Sequence, residues 1–154
     1  MTRSSPIMAL AYGLWVVGCV MLAFVTFYVW NEGDLRYVLG VNNLLIALPA
    51  GPVAFLGWIL LHALKPRPVW PAYMGLAAAL AITAHLVNGA TFLYLSQAYE
   101  PGRLLAGVFG FSLLMASSHG MITISAQLVA TALFVGWIYW REKVDVTRRR
   151  RYGA

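Results

Sequence analysis

Residues 104–140 read LLAGVFGFSLLMASSHGMITISAQLVATALFVGWIYW, a run with no Asp, Glu, Lys or Arg, followed at once by Arg141-Glu142-Lys143. A hydrocarbon core of ~30 Å is crossed by about 20 apolar residues. This run is too long for one ordinary span and short for two. Three more uncharged runs precede it, at 7–30, 38–64 and 71–95, each long enough to cross. The first is too long for a signal peptide, and no A-x-A cleavage site follows it, so it is kept as a helix.

Charge decides how the last run is divided. With four spans and the N-terminus inside, the inner segments hold Arg3, Lys65, Arg67, Arg141, Lys143, Arg148, Arg149, Arg150 and Arg151. The outer loops then hold only Arg36 and Arg103, beside Glu32, Asp34 and Glu100. Splitting residues 104–140 into two spans would place the basic tail outside, against the positive-inside rule. The expected fold is therefore an all-α integral membrane protein. It forms one domain of four transmembrane helices, with both termini cytoplasmic and a basic tail at 141–154. Aromatic positions agree: Tyr28, Trp30, Tyr37, Tyr94 and Tyr99 at the outer boundary, and Trp70, Tyr73, Trp137, Tyr139 and Trp140 at the inner one, where amphipathic rings settle at headgroup level.

Composition leads the same way. Of 154 residues, 61% are hydrophobic and 10% charged, and the mean hydropathy is +0.74. A soluble domain has about 25% charged residues and could not hide so much apolar surface. This excludes a soluble enzyme, a disordered chain and a disulfide scaffold. The single cysteine, Cys19, lies in an apolar run and reads as a packing residue. The sequence pI of 9.8 arises from cations flanking apolar runs, which argues for topology rather than a nucleic-acid partner. Ala/Leu/Gly richness with Arg over Lys points to a bacterial plasma membrane.

The second and fourth runs overshoot the core, and each overshoot lies beside breaker chemistry. Pro49-Ala50-Gly51-Pro52 predicts a kinked second helix, because proline removes an intrahelical hydrogen bond. Ser117-Ser118-His119-Gly120 is a weaker breaker. The fourth helix is therefore expected to carry an apolar outer extension, Leu104 to Ala116, that is re-entrant, steeply tilted or covered by another protein. The two halves also show a faint likeness: Thr26-Phe27, Arg36, Gly57-Trp58-Ile59 against Thr91-Phe92, Arg103, Gly136-Trp137-Ile138.

The spans contain no acidic or basic side chain, so the intramembrane carboxylate of a typical ion-coupled carrier is missing. No Asp or Glu stands near a histidine to complete a hydrolytic triad. Chemistry must then come from His62, His85 and His119. A haem b held between His85 and His119 is one expectation, since intramembrane histidine pairs on facing helices ligate haem. Counting ~1.5 Å per residue from the inner charges puts His62 at ~5 Å, His85 at ~20 Å and His119 at ~33 Å depth, which opposes shared ligation. The competing expectation is a polar seam. Ala77, Ala81, His85 and Asn88 share one helical face, and Ala116, His119, Thr123, Gln127 and Ala130 share another. The same count pairs His85 with Gln127 and Asn88 with Thr123, and puts His62 at the inner interface with Lys65.

Three functions follow as expectations. The first is a non-catalytic accessory or anchor subunit of a larger membrane complex. The second is a redox subunit holding haem b or a quinone through His85 and His119. The third is a carrier for a small neutral or lipidic solute. Asn42, Asn43, Phe109, Phe111, Ser117 and Ser118 are expected to line an outer groove, and Arg148, Arg149, Arg150 and Arg151 to meet anionic lipid.

Overall fold

The computed structural model describes residues 5–31, 47–65, 68–95 and 103–152, some of them, including His119 and 148–152, by their backbone alone. Four helices are described: α1 (Pro6–Asn31), α2 (Ala50–Leu64), α3 (Trp70–Leu95) and α4 (Leu104–Tyr152). No strand occurs among the described residues.

Local chemistry sets the helix ends. Ser5 precedes α1, and its Oγ accepts the Met8 amide at 3.3 Å, with Pro6 in the first helical position where a missing N–H costs nothing. Lys65 ends α2 in an extended conformation, φ −134° and ψ 96°, as a residue preceding proline prefers. Its own amide donates back to the Leu61 carbonyl at 2.8 Å.

Pro49 interrupts the helical backbone: it is the N-cap of α2, with a turn at Leu48–Pro49 between that helix and helical backbone at Ala47. Pro52 then falls in the first turn, where its absent N–H is tolerated. The 15 described residues of α2 rise about 22 Å, less than the core thickness. Three helical segments are long and apolar enough to cross a membrane, Pro6–Phe27, Trp70–Thr91 and Gly120–Thr147. The rest of the expected second span, 38–46, lies outside the described residues.

Each helix packs on two others, α1 and α3 each touching both α2 and α4. Neighbours are antiparallel. Tyr12 meets Trp58 while Val17 faces Gly51. Tyr73 meets His62 while Leu80 faces Gly57. The end of the bundle that carries Pro6, Leu64, Trp70 and Trp140 is here the terminal end, and the opposite one the far end. Buried residues recur every fourth position: Met8, Tyr12, Val16, Val20 and Phe24 on α1, and Ala50, Ala54, Trp58 and His62 on α2. Residues four apart share one helix face, so each helix turns a single stripe inward.

Close backbone contact fixes two of the interfaces. A Cβ at Gly13 would stand 2.8 Å from the Gly51 carbonyl oxygen, and one at Gly89 2.8 Å from the Val108 carbonyl oxygen. Small residues of this kind let helix backbones approach in a membrane, where packing rather than water drives association.

The helix α4 has 49 residues and rises about 74 Å. It runs unbroken through Ser117-Ser118-His119-Gly120, so this stretch is not the break expected of it. With no proline there, the backbone keeps its i→i−4 bonds. Near the terminal end α4 keeps step with α3: Tyr139 bonds the Pro68 carbonyl and Thr123 bonds His85, over nearly equal lengths of the two chains. Beyond that level the register changes. From His85 to Gly89 α3 rises only ~6 Å, while α4 covers ~16 Å between Thr123 and Ser112, which lies against Gly89. Two straight parallel helices cannot do this, so α4 runs obliquely over this stretch. The extension thereby lies along α3, with Gly107 on Leu93. Its other face, Leu105, Phe109 and Leu113, is exposed.

Candidate functional site

The interior polar groups form two sets. At the terminal end, Tyr12, Trp58, His62, Tyr73 and Phe134 fill the centre, every helix contributing and all five buried. Trp58 lies 4.7 Å from Tyr12, 4.7 Å from His62, 5.3 Å from Tyr73 and 5.5 Å from Phe134 between ring centres. These tilted and edge-on contacts suit the aromatic quadrupole.

His62 is bonded at both ring nitrogens. Nδ1 lies 2.9 Å from the Trp58 carbonyl oxygen and Nε2 lies 3.1 Å from Tyr73 Oη. A carbonyl can only accept, so Nδ1 carries a proton. In the neutral ring Nε2 then accepts from the tyrosine hydroxyl. Both side chains turn into the bundle, His62 buried and Tyr73 1% exposed. Trp70, Trp137, Tyr139 and Trp140 do stay exposed around that end. Trp58 and Trp137, equivalent in the faint repeat, differ: one is buried in the centre and the other lies outside beneath Arg141, 5.6 Å from its ring.

The second set lies between α3 and α4. His85, Asn88, Thr123 and Gln127 are all buried. His85 Nε2 is 2.8 Å from Thr123 Oγ1, so the histidine meets the residue one turn from the expected Gln127. Thr123 Oγ1 also lies 3.2 Å from the Gly120 carbonyl oxygen, to which it donates. A hydroxyl has one proton, so in this arrangement His85 Nε2 is the donor to Thr123. The Asn88 Nδ2 atom is buried and finds no hydrogen-bond partner among the described residues.

The ladder continues along α4 to Thr131, four residues past Gln127. Thr131 Oγ1 donates to the Gln127 carbonyl at 2.8 Å, which leaves it to accept from Tyr12 Oη at 2.7 Å. Trp15 Nε1 donates to the Ala130 carbonyl at 2.9 Å one turn along α1. The sequence reading missed Tyr12, Trp58, Tyr73 and Thr131 as interior polar or aromatic anchors. The four-residue spacing of Thr123, Gln127 and Thr131, and of Ala50, Ala54, Trp58 and His62, was the signal that could have found them.

Of the expected outer groove, Phe109 and Ser117 are exposed; Asn42 and Asn43, and the side chains of Phe111 and Ser118, lie outside the described residues. The His119 side chain lies outside them too, so the geometry of a His85–His119 pair is not described. The backbone at Arg148, Arg149, Arg150 and Arg151 is helical, continuing α4 into the basic tail. No group of three or more His, Cys, Asp or Glu placed to hold a metal occurs among the described residues.

Two apolar grooves mark the outside of α1. One lies between α1 and α2 around Leu10, Leu14, Leu48 and Phe55, about 540 Å³. The other lies between the far half of α1 and α4, about 590 Å³. Comparison with protein-family models, curated proteins and solved structures finds no match to this chain.

Proposed function

We propose that this chain is a non-catalytic accessory or anchor subunit of a larger membrane protein complex in a bacterial plasma membrane, spanning the bilayer four times with both ends cytoplasmic. One observation carries the reading: most of the bundle's interior hydrogen-bonding side chains are tied to one another across helices, Asn88 Nδ2 being an exception among the described residues. Tyr12 is bonded to Thr131, His62 to Tyr73 and the Trp58 carbonyl, and His85 to Thr123. Groups engaged this way hold helices together, as interhelical hydrogen bonds do in membranes. A carrier would need a polar path that opens.

The exposed side of the α4 extension supports the same reading. Leu105, Phe109 and Leu113 stand one turn apart on the face turned away from α3. Large apolar patches at the edge of a fold commonly serve interactions. The arginines at the tail suit the anionic surface of the cytoplasmic leaflet, at up to ~1 kcal/mol per charge.

The test is extraction from native membranes in a mild detergent, followed by sizing of the complex. The chain is expected to migrate well above its own mass with defined companions. Phe109→Asp is expected to insert in the membrane yet leave that complex, because burying an uncompensated carboxylate in an apolar contact costs several kcal/mol. A monomeric wild-type chain, or a Soret band lost on His85→Leu, would overturn the proposal.

A further inference from the structure

Three helices stop at one level at the terminal end, and α4 does not. Tyr12 is bonded to Thr131, and six steps from Tyr12 back to Pro6 match six from Thr131 on to Trp137. Trp58 meets Phe134, and six steps from Trp58 to Leu64 match six from Phe134 to Trp140. His85 is bonded to Thr123, and fifteen steps back to Trp70 match fifteen on to Ile138. The ends of α1, α2 and α3 are therefore level with residues 137–140 of α4. Exposed Trp70, Trp137 and Trp140 mark that level as the headgroup boundary. Among the described helices only α4 continues, twelve more steps to Tyr152, or ~18 Å at ~1.5 Å each. From Arg141 to Thr147 every residue but Val144 is exposed.

Charge is divided along this post. Glu142 and Asp145 balance Arg141 and Lys143, whereas Arg148, Arg149, Arg150 and Arg151 form an unbroken run of positive charge. The run stands seven to ten helical steps past Arg141, ~10–15 Å out. The headgroup layer on each side of a bilayer is only ~5–7 Å thick. A mean helix tilt of ~20° lowers the run by less than ~1 Å. The leaflet's potential reaches it across a Debye length of ~8 Å, but the run stands clear of the headgroups themselves. Cations in the last turn complement the helix dipole, so the run also steadies the helix that carries it.

The run goes round the axis as well. The backbone at 148–151 is helical, and positions turning by ~100° each spread the four over ~300° of the circumference. Nucleic-acid affinity is built from rows of phosphate contacts, and only about half of this run faces any one side. A protein socket that receives the tip meets every side at once.

We propose that this tip is a docking post, received by an acidic socket on a protein in the aqueous phase. The inference rests on the subunit reading and names the chemistry of one companion. It is tested on the full-length chain in native membranes, with p-benzoylphenylalanine replacing Val146 or Tyr152 as the photo-crosslinking probe. Both positions are expected to yield the same protein adduct, joined through a peptide rich in Asp and Glu. Changing Arg148, Arg149, Arg150 and Arg151 together to Gln is expected to abolish it, with orientation checked by outside labelling of a cysteine replacing Asp34. Thr147→Pro keeps all four charges but breaks the helix beneath them, and is expected to abolish it too. Attraction to lipid or nucleic acid would survive that break. Lipid adducts alone, adducts removed by nuclease, a contact peptide without acidic residues, or a protein adduct that persists in either variant would overturn the proposal. A large complex in detergent with no adduct at the tip would sink this inference and leave the subunit reading standing.

Discussion

The Tyr12–Thr131 contact offers a sharp energetic test because its two halves are unequal. Both residues are completely buried, and the hydroxyls lie 2.7 Å apart. Thr131 donates its proton to the Gln127 carbonyl, so Tyr12 donates to Thr131. Thr131→Val keeps shape and volume but leaves the Tyr12 O–H with no acceptor. An orphaned buried donor costs about 1–3 kcal/mol. In a membrane the unfolded helices also find partners, and measured couplings average ~0.6 and reach ~1.7 kcal/mol. The expected loss for Thr131→Val is thus about 1–2 kcal/mol. Tyr12→Phe is milder, because Thr131 still bonds the Gln127 carbonyl and the ring keeps its contacts with Trp58 and Phe134. About 0.5 kcal/mol is expected there, since little more than a net hydrogen bond is lost. The double variant leaves nothing unsatisfied, so it is expected to resemble Tyr12→Phe alone. The assay is reversible unfolding in mixed detergent micelles, read as a double-mutant cycle. Additivity within about 0.3–0.5 kcal/mol, the range for independent sites, would refute the assigned donor direction and the contact with it.

Three further outcomes are expected. Gly13→Val should destabilise by at least about 1–3 kcal/mol, since the clash is with the Gly51 backbone, whereas Gly18→Val, which meets open space, should be near neutral in the same unfolding assay. His85→Leu should cost ~0.6 and at most ~2 kcal/mol and leave the visible spectrum unchanged, as measured by micelle unfolding and absorbance. In a Cys19→Ala background, cysteines replacing Asp34 or Glu100 should react with an impermeant reagent from outside intact cells, and those replacing Lys65 or Arg149 should not; labelling at Arg149 would refute the four-span topology.

The faces of the helices were easier to read than their pairings. Ala77, Ala81, His85 and Asn88 on one side, and Thr123, Gln127 and Ala130 on the other, are buried together, because helical spacing alone puts them in line. The partner of each was not legible. A depth count treats helices as straight and parallel, yet α4 crosses α3 obliquely above Thr123, and His85 meets Thr123 rather than Gln127. His62 and Tyr73 were placed by their nearness to Lys65 and Trp70 in sequence. Their burial follows from Trp58, which gathers both rings inward. Pro49 was legible as a breaker because proline removes an intrahelical hydrogen bond, and the turn at Leu48–Pro49 lies there.

The aromatic cluster at the terminal end also bears on electrical insulation. A row of buried polar groups runs down α4 from Thr123 through Gln127 to Thr131, and such a row could admit water and let ions leak. It stops at Tyr12, whose ring is packed against Trp58 and Phe134 with no exposed surface on either Tyr12 or Trp58. Each 100 mV across a membrane drives a unit charge with ~2.3 kcal/mol. The packed rings leave no exposed surface by which the row could continue past Tyr12, so the bundle joins its helices through polar contacts without extending them to the terminal end.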